Sequence, residues 1–178
     1  RSPYDYIAGT SMGSIVGGFL ATGMESEELA KVVREADWDD LFKDKTARED
    51  LPFRRKADDD LGLYGPTLGI GKDSNLLPKG MVSGQKIIFM FESVASQRVN
   101  TNDFDKLPIP YRAIATNIVS GEMVVIGTGE VSMAMRASMA VPGVFDPVLR
   151  EEALLVDGGL VRNLPVDVAR DMGADVVI

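Results

Sequence analysis

The feature that most constrains this chain is the stretch Asp5–Gly18, DYIAGTSMGSIVGG, near its beginning. It predicts a short strand, a sharp turn and the start of a helix, with the spacing Gly9-x-Ser11-x-Gly13 of a nucleophile elbow. Because glycine has no Cβ, Gly9 and Gly13 let strand and helix approach where another side chain would clash. The pattern predicts a reactive Ser11 at the apex; the alternative is a glycine-rich turn that serves packing alone.

The helix that follows Ser11 has an N-terminus suited to a developing oxyanion. The first N–H groups of a helix have no intrahelical acceptor and carry a partial positive charge. We expect the backbone N–H of Met12, directly after the candidate nucleophile, to be the oxyanion donor. A phosphate-binding interpretation is weaker, because no Lys-Ser or Lys-Thr pair follows the glycines as a Walker A loop requires.

The absence of histidine limits which groups could act as a catalytic base or metal ligand. The 178 residues contain no His and no Cys, and the net charge is −8. The chain therefore cannot build a Ser-His-Asp triad, a disulfide or the usual His/Cys zinc site, and its charge argues against a nucleic-acid partner. A serine nucleophile in this chain needs a carboxylate or a lysine as its base. We predict neither a cofactor nor a metal.

The candidate base is Asp157, which follows the apolar run Leu154–Val156 and precedes Gly158 and Gly159. The two glycines permit a tight turn and leave the carboxylate uncrowded. An Asp-Gly turn that merely closes a strand is common. Paired with Ser11 in a chain without histidine, however, Asp157 predicts a Ser-Asp dyad that proceeds through an acyl-serine.

Strands alternate with helices along the chain, which predicts an α/β fold with a largely parallel sheet. We expect further strands at 111–117, 122–126 and 153–156 and one that begins at 175–178, and helices from 26 and at 86–96, 132–139 and 166–172. The charged segment 39–60 is predicted to be solvated, and 61–84 is predicted to be a long loop of the kind that forms lids. Sites in open α/β sheets lie beyond the carboxyl ends of strands, so Ser11 and Asp157 share a rim if their strands are parallel.

Three motifs in order resemble the patatin-like phospholipase family. They are Gly9-Thr10-Ser11-Met12-Gly13, residues 136–147 (RASMAVPGVFDP) and residues 157–165 (DGGLVRNLP). The stretch 76–85 is similar to the bacterial branch. The resemblance implies a three-layer α/β/α fold with a central, mainly parallel sheet. It also implies a lipid acyl hydrolase, a phospholipase A or esterase, with Ser11 as nucleophile and Asp157 as general base.

Position in the chain suggests a place for two more residues. Arg136 and Ser138 precede Pro142 and could line the rim of the site. The Arg136 guanidinium could bind a lipid phosphate, or it could pair with a carboxylate and hold its loop.

The family also carries a glycine-rich oxyanion loop, with a basic residue, on a strand–helix unit upstream of the elbow. No residue precedes Arg1 here. We therefore expect residues 1–178 to be a piece of the catalytic domain that lacks this unit and ends within a strand. Losing one oxyanion donor costs about 10²–10³-fold in rate, so we expect poor activity, and also association into homo-oligomers through the open sheet edge.

The resemblance implies partners and leaves other functions open. The implied partners are a phospholipid or another acyl ester and a membrane surface. Some bacterial members are secreted or surface-exposed and are joined to an outer-membrane domain; the other expected location is the cytoplasm. Two alternatives to hydrolysis are a non-catalytic lipid- or protein-binding module on the same fold, and acyl transfer to an acceptor other than water.

Overall fold

The computed structural model of the protein describes residues 3–41, 84–95 and 97–178. The expectations for the charged segment and the long loop lie almost wholly outside these residues. The sequence match to the bacterial branch at 76–85 lies mostly outside them as well.

Strands and helices alternate in the described residues. The strands are β1 (Ile7–Thr10), β2 (Tyr111–Asn117), β3 (Met123–Ile126), β4 (Val148–Arg150) and β5 (Ala153–Asp157). The helices are α1 (Met12–Ala21), α2 (Ser26–Glu35), α3 (Trp38–Leu41), α4 (Gln85–Ala95), α5 (Val131–Ser138) and α6 (Val166–Asp171). Two 3₁₀ turns cover Phe104–Lys106 and Gly158–Leu160.

The predicted α/β class is confirmed, but the described sheet is mixed rather than mainly parallel. β1 pairs with β2 in parallel, whereas β2–β3, β2–β5 and β4–β5 are antiparallel. The β2–β3 hairpin agrees with the predicted pair of strands. Residues 175–178, in contrast, form no strand, so that expectation was wrong.

The hydrophobic core lies between the sheet and helices α1, α4 and α5. Phe19 of α1 meets Phe91 of α4 edge to face, with ring centroids 5.6 Å apart. Gly18 presses α1 against α5 so closely that a Cβ there would lie 2.6 Å from the Met135 sulfur. This close packing fixes the helix that begins directly after Ser11.

Candidate active site

The candidate site lies where β1 and β5 meet. Ala113 and Ile114 of β2 each pair with both β1 and β3, while Ala115 and Thr116 each pair with both β3 and β5. A strand residue has one partner on each edge, so β3 occupies one edge of β2 and the other two strands share the opposite edge. Because β1 is parallel to β2 and β5 is antiparallel to it, the C-terminal ends of β1 and β5 approach head to head.

This head-to-head meeting brings the predicted nucleophile and the predicted base together. Thr10 ends β1 and faces Ile114, and Asp157 ends β5 and faces Ala115. Adjacent residues of a strand are about 3.3 Å apart along its axis. Ser11 follows Thr10 directly, so it begins at the same point of the sheet as Asp157. The condition set for a shared rim, parallel strands, is not met, because β1 and β5 run in opposite directions and meet end to end.

Ser11 has the backbone conformation of a strained elbow. Its φ is 54° and its ψ is −121°, and a positive φ is costly for a residue other than glycine. The N–H groups of Ser14 and Ile15 donate to the Ser11 carbonyl at 3.0 and 3.2 Å. The Ser11 side chain makes no capping hydrogen bond to α1. Its hydroxyl therefore forms no hydrogen bond that caps the helix beginning after it.

The two glycines of the elbow have different roles. A Cβ on Gly9 would lie 2.4 Å from the Gly13 carbonyl oxygen and 2.7 Å from the Ser14 nitrogen, both of them backbone atoms. A Cβ on Gly13 would meet nothing within 4 Å in the described structure. The close approach predicted from Gly9 is thus observed, whereas the same expectation for Gly13 was wrong. The crowding occurs at the Gly13 backbone, which strikes any side chain at position 9.

We expect Gly9→Ala to destabilise the fold and Gly13→Ala to leave it intact. Overpacking against backbone that cannot move costs about 1–3 kcal/mol or more, whereas alanine in a helix is favoured over glycine by up to about 1 kcal/mol. Urea unfolding of the two variants checks this, because they add the same methyl group four residues apart. Equal midpoints for both variants would contradict the assignment.

Asp157 is held by its neighbours at three points. Its Oδ1 accepts the Gly159 N–H at 2.7 Å, its own N–H donates to the Ala140 carbonyl at 2.9 Å, and its carbonyl accepts the Thr116 hydroxyl at 3.0 Å. The residue is only 7% exposed. The carboxylate therefore sits in a fixed position, anchored through one oxygen to the turn that Gly158 and Gly159 form.

Gly158 allows the β5 turn to close against β1 and β2. A Cβ on Gly158 would lie 2.3 Å from the Ile114 carbonyl oxygen and 3.0 Å from the Thr10 methyl group. The Thr10 hydroxyl donates to the Arg162 carbonyl at 2.9 Å. A Cβ on Gly159 would lie 2.9 Å from Asp157 Oδ1. Thr10, directly before Ser11, thus contacts the turn that follows Asp157.

Met12 is the first residue of α1, so its N–H has no carbonyl acceptor within that helix. The side chain of Met12 is exposed. An amide at this position is available to an anion beside Ser11, as the oxyanion prediction requires. Within the described residues no group of three or more His, Cys, Asp or Glu side chains could hold a metal ion.

Arg136 and Ser138 do not line the rim, contrary to the sequence expectation. Both lie in the buried part of α5, with 1% and 0% of their surfaces exposed. The Arg136 guanidinium donates to the Asp146 carbonyl at 2.9 Å and stacks over Phe145, 4.9 Å from the ring centroid. A buried guanidinium in these contacts holds the 141–146 turn and does not reach a lipid phosphate.

Sequence reasoning missed two groups that support the elbow. The Ser138 hydroxyl accepts the Ser11 N–H at 2.9 Å, a contact 127 residues apart in sequence. The Tyr111 hydroxyl donates to the Ser14 carbonyl at 2.8 Å and lies 2.6 Å from Ser14 Oγ. Burial raises the pKa of Tyr111, so its hydroxyl keeps the proton that it donates. Ser138 lies in the stretch 136–147 that resembles the family, but the resemblance did not predict its contact with Ser11. No sequence pattern indicated the contact of Tyr111 with Ser14.

Comparisons with known proteins agree with the fold. A family model described as patatin-like phospholipase matches residues 1–170. An uncharacterized NTE family protein of Mycobacterium tuberculosis is 30% identical over 172 residues, or 97% of this chain and 39% of that protein. Patatin-like phospholipase domain-containing protein 7 of Rattus norvegicus is 33% identical over 178 residues, or 99% of this chain and 11% of that protein.

A solved structure is similar as well. The crystal structure of VipD from Legionella pneumophila matches 90% of this chain and 41% of its own, with a TM-score of 0.52 and 15% identity, a likeness of fold. The chain spans well under half the length of the relatives that it matches. In the part of the chain that the structure describes, no helix is long and apolar enough to cross a bilayer.

Proposed function

The chain belongs to the patatin-like phospholipase family, and from that premise we propose that it is a lipid acyl hydrolase that uses a Ser11–Asp157 dyad. The family as a whole indicates lipid hydrolysis. The dyad is supported by one observation above all, the head-to-head meeting of β1 and β5. That meeting brings the strained turn at Ser11 and the buried Asp157 to the same point of the sheet, and it supports a Ser-Asp dyad in a chain that has no histidine.

The first half of the proposed reaction forms an acyl-serine. Ser11 Oγ attacks the ester carbonyl while its proton passes to the Asp157 carboxylate. The carbonyl oxygen becomes an oxyanion beside the Met12 N–H and the positive end of α1. When the tetrahedral intermediate collapses, the bond to the alcohol breaks and the departing oxygen takes the proton from Asp157.

The second half releases the acid. Asp157, again a carboxylate, accepts a proton from water as the water oxygen attacks the acyl carbonyl. The bond to Ser11 Oγ then breaks, the proton returns to that oxygen, and a fatty acid leaves. The hydrogen bond from Gly159 holds one oxygen of Asp157 throughout, so the other oxygen is the one that exchanges protons.

Exposed apolar side chains in the segments next to Ser11 and Asp157 support a lipid substrate at a membrane surface. They belong to the segments next to Ser11 and Asp157: Met12, Val141, Val144, Leu160, Val161 and Leu164. We call these six residues the apolar rim. The 141–144 part is tied to Asp157 through Ala140, and the 160–164 part begins three residues after Asp157. Exposed apolar side chains beside a reactive serine would fit acyl chains and a lipid surface.

We expect Leu164→Asp to impair hydrolysis of lipid vesicles and to spare hydrolysis of a soluble ester. Leu164 is 76% exposed, so its replacement removes little buried surface from the free protein. Burying a leucine side chain, here against lipid, contributes about 1.5–3 kcal/mol. Activity on phosphatidylcholine vesicles should fall about tenfold or more, with turnover of a short-chain soluble ester within about twofold of wild type. Zwitterionic vesicles avoid repulsion by the net charge of −8.

The matched control for this prediction is Leu149→Asp in β4, where the leucine is 71% exposed and outside the apolar rim. This variant introduces the same charge at the same exposure. If it reduced vesicle activity as much as Leu164→Asp does, the loss would come from charge alone and the apolar rim would have no role.

The function itself is tested by labelling the intact protein with a fluorophosphonate and mapping the modified peptide. The proposal requires modification at Ser11 together with release of fatty acid from phosphatidylcholine. Modification of another residue, or none, would overturn it. Adding a lysolipid or an alcohol and analysing the products separates hydrolysis from acyl transfer to a second acceptor.

A further inference from the structure

We propose that Ser138 is a positioning residue for the nucleophile: its buried hydroxyl fixes the backbone of Ser11 and, with it, the direction in which Ser11 Oγ points. The inference rests on the proposed function, because it assigns Ser138 a part in the reactivity of Ser11. Neither the elbow motif nor the Asp-Gly-Gly turn contains this residue.

The elbow needs support from outside itself. Ser11 occupies a positive φ of 54°, a conformation that is costly for a residue with a Cβ and that persists only where the surroundings enforce it. On its C-terminal side, Ser14 and Ile15 hold the Ser11 carbonyl through α1. On its N-terminal side, the Ser11 N–H is held by Ser138 Oγ at 2.9 Å. The two peptide groups that flank the Ser11 Cα are therefore both fixed, one locally and one by a distant helix.

A second contact determines the direction in which the Ser138 hydroxyl donates its hydrogen bond. Its proton goes to the Ile114 carbonyl at 2.5 Å, which leaves its oxygen as an acceptor for the Ser11 N–H. Ser138 is fully buried, so water cannot readily replace the hydroxyl. Both groups that it joins would lose a partner if it were removed.

The same segment also reaches the base. Two residues after Ser138, the Ala140 carbonyl accepts the N–H of Asp157 at 2.9 Å. The Ile114 carbonyl, which Ser138 holds, is the atom that a side chain on Gly158 would strike. The segment from Ser138 at the end of α5 to Ala140 just beyond it thus contacts Ser11 at one point and Asp157 at another.

This geometry predicts a loss of reactivity that exceeds the loss of stability. In Ser138→Ala the Ser11 peptide can rotate, and a displacement of about 1 Å of a reacting group can cost up to about 10²-fold in rate. We expect the rate of fluorophosphonate labelling at Ser11, and kcat on a soluble short-chain ester, to fall about 10- to 10²-fold. KM should be unchanged, because Ser138 does not touch the substrate.

The matched control is Ser132→Ala, which removes another buried hydroxyl from the same helix, six residues from Ser138. Its labelling rate should stay within about twofold of wild type. Thermal midpoints of both variants show that the rates are measured on folded protein. Ser138→Cys keeps a group that can donate and accept but bonds more weakly, so its labelling rate should lie between those of wild type and Ser138→Ala; it also serves if Ser138→Ala fails to fold.

Each outcome distinguishes this inference from its premise. A wild-type protein that is labelled at Ser11, with Ser138→Ala labelled equally fast, overturns the role of Ser138 and leaves the proposed function intact. A Ser132→Ala variant that loses as much reactivity as Ser138→Ala also overturns it. If wild type is not labelled at Ser11, the proposed function fails and the inference fails with it.

Discussion

Ser11→Ala is expected to abolish ester hydrolysis and fluorophosphonate labelling while the protein stays folded. Removal of a serine nucleophile typically lowers kcat by a factor of about 10³ or more, because the covalent route closes and only binding and oxyanion stabilisation remain. The Ser11 hydroxyl caps no helix, so its loss should change the thermal midpoint little. The measurement is the initial rate on a short-chain ester together with the mass of the probe-treated protein.

The control for this substitution is Ser93→Ala. Ser93 lies on α4 and donates its hydroxyl to the Met90 carbonyl in an exposed position, so it is a serine of ordinary helical surroundings. Its variant should hydrolyse and label like wild type. If Ser11→Ala were still labelled at the wild-type rate, the reactive serine would be a different residue.

Asp157→Asn should be the second most damaging change. The amide keeps the shape of the carboxylate and can still accept the Gly159 N–H, so the turn is retained, but it cannot take the proton of Ser11. General-base catalysis contributes about 10²–10⁴-fold, and we expect kcat to fall by that factor. Probe labelling of Ser11 should slow in parallel, because the same proton must leave.

Two comparisons make the Asp157 result specific. Asp171→Asn changes an exposed carboxylate at the end of α6 and should leave kcat unchanged. The double variant Ser11→Ala/Asp157→Asn should be no slower than Ser11→Ala, since residues that act as a unit are strongly non-additive. Additive losses would show that Asp157 acts apart from Ser11.

The local features of the site were predictable from neighbouring residues. Glycines at fixed spacing around Ser11, an apolar strand before it and small residues after it define the β1–α1 turn, and the structure agrees from Ile7 to Ala21. The β2–β3 hairpin followed in the same way from Ser120-Gly121 between two strands. These elements depend on contacts within about ten residues, where side-chain pattern and turn chemistry act directly.

The expectations that failed depend on pairings far apart in sequence. Opposite directions of β1 and β5 cannot be read from their residues, because both strands are short and apolar. Arg136 was expected at the rim from its place before Pro142, but the 141–146 turn provides a carbonyl and an aromatic face for it inside. Gly13 was assumed to be crowded like Gly9, although only the folded turn shows which of the two faces backbone.

The amino-acid order by itself determined the α/β class and the kinds of group present: a serine at a strained turn, an aspartate before two glycines, and no imidazole to join them. Only the tertiary structure decided that the ends of β1 and β5 meet, and how. β2 accepts β1 and β5 on one edge from opposite directions, and Ser138 and Ala140, at and just beyond the end of α5, hydrogen-bond to Ser11 and Asp157. The reason is physical: hydrogen bonds between distant strands set direction and register, and those bonds leave no periodic trace in the sequence of either strand.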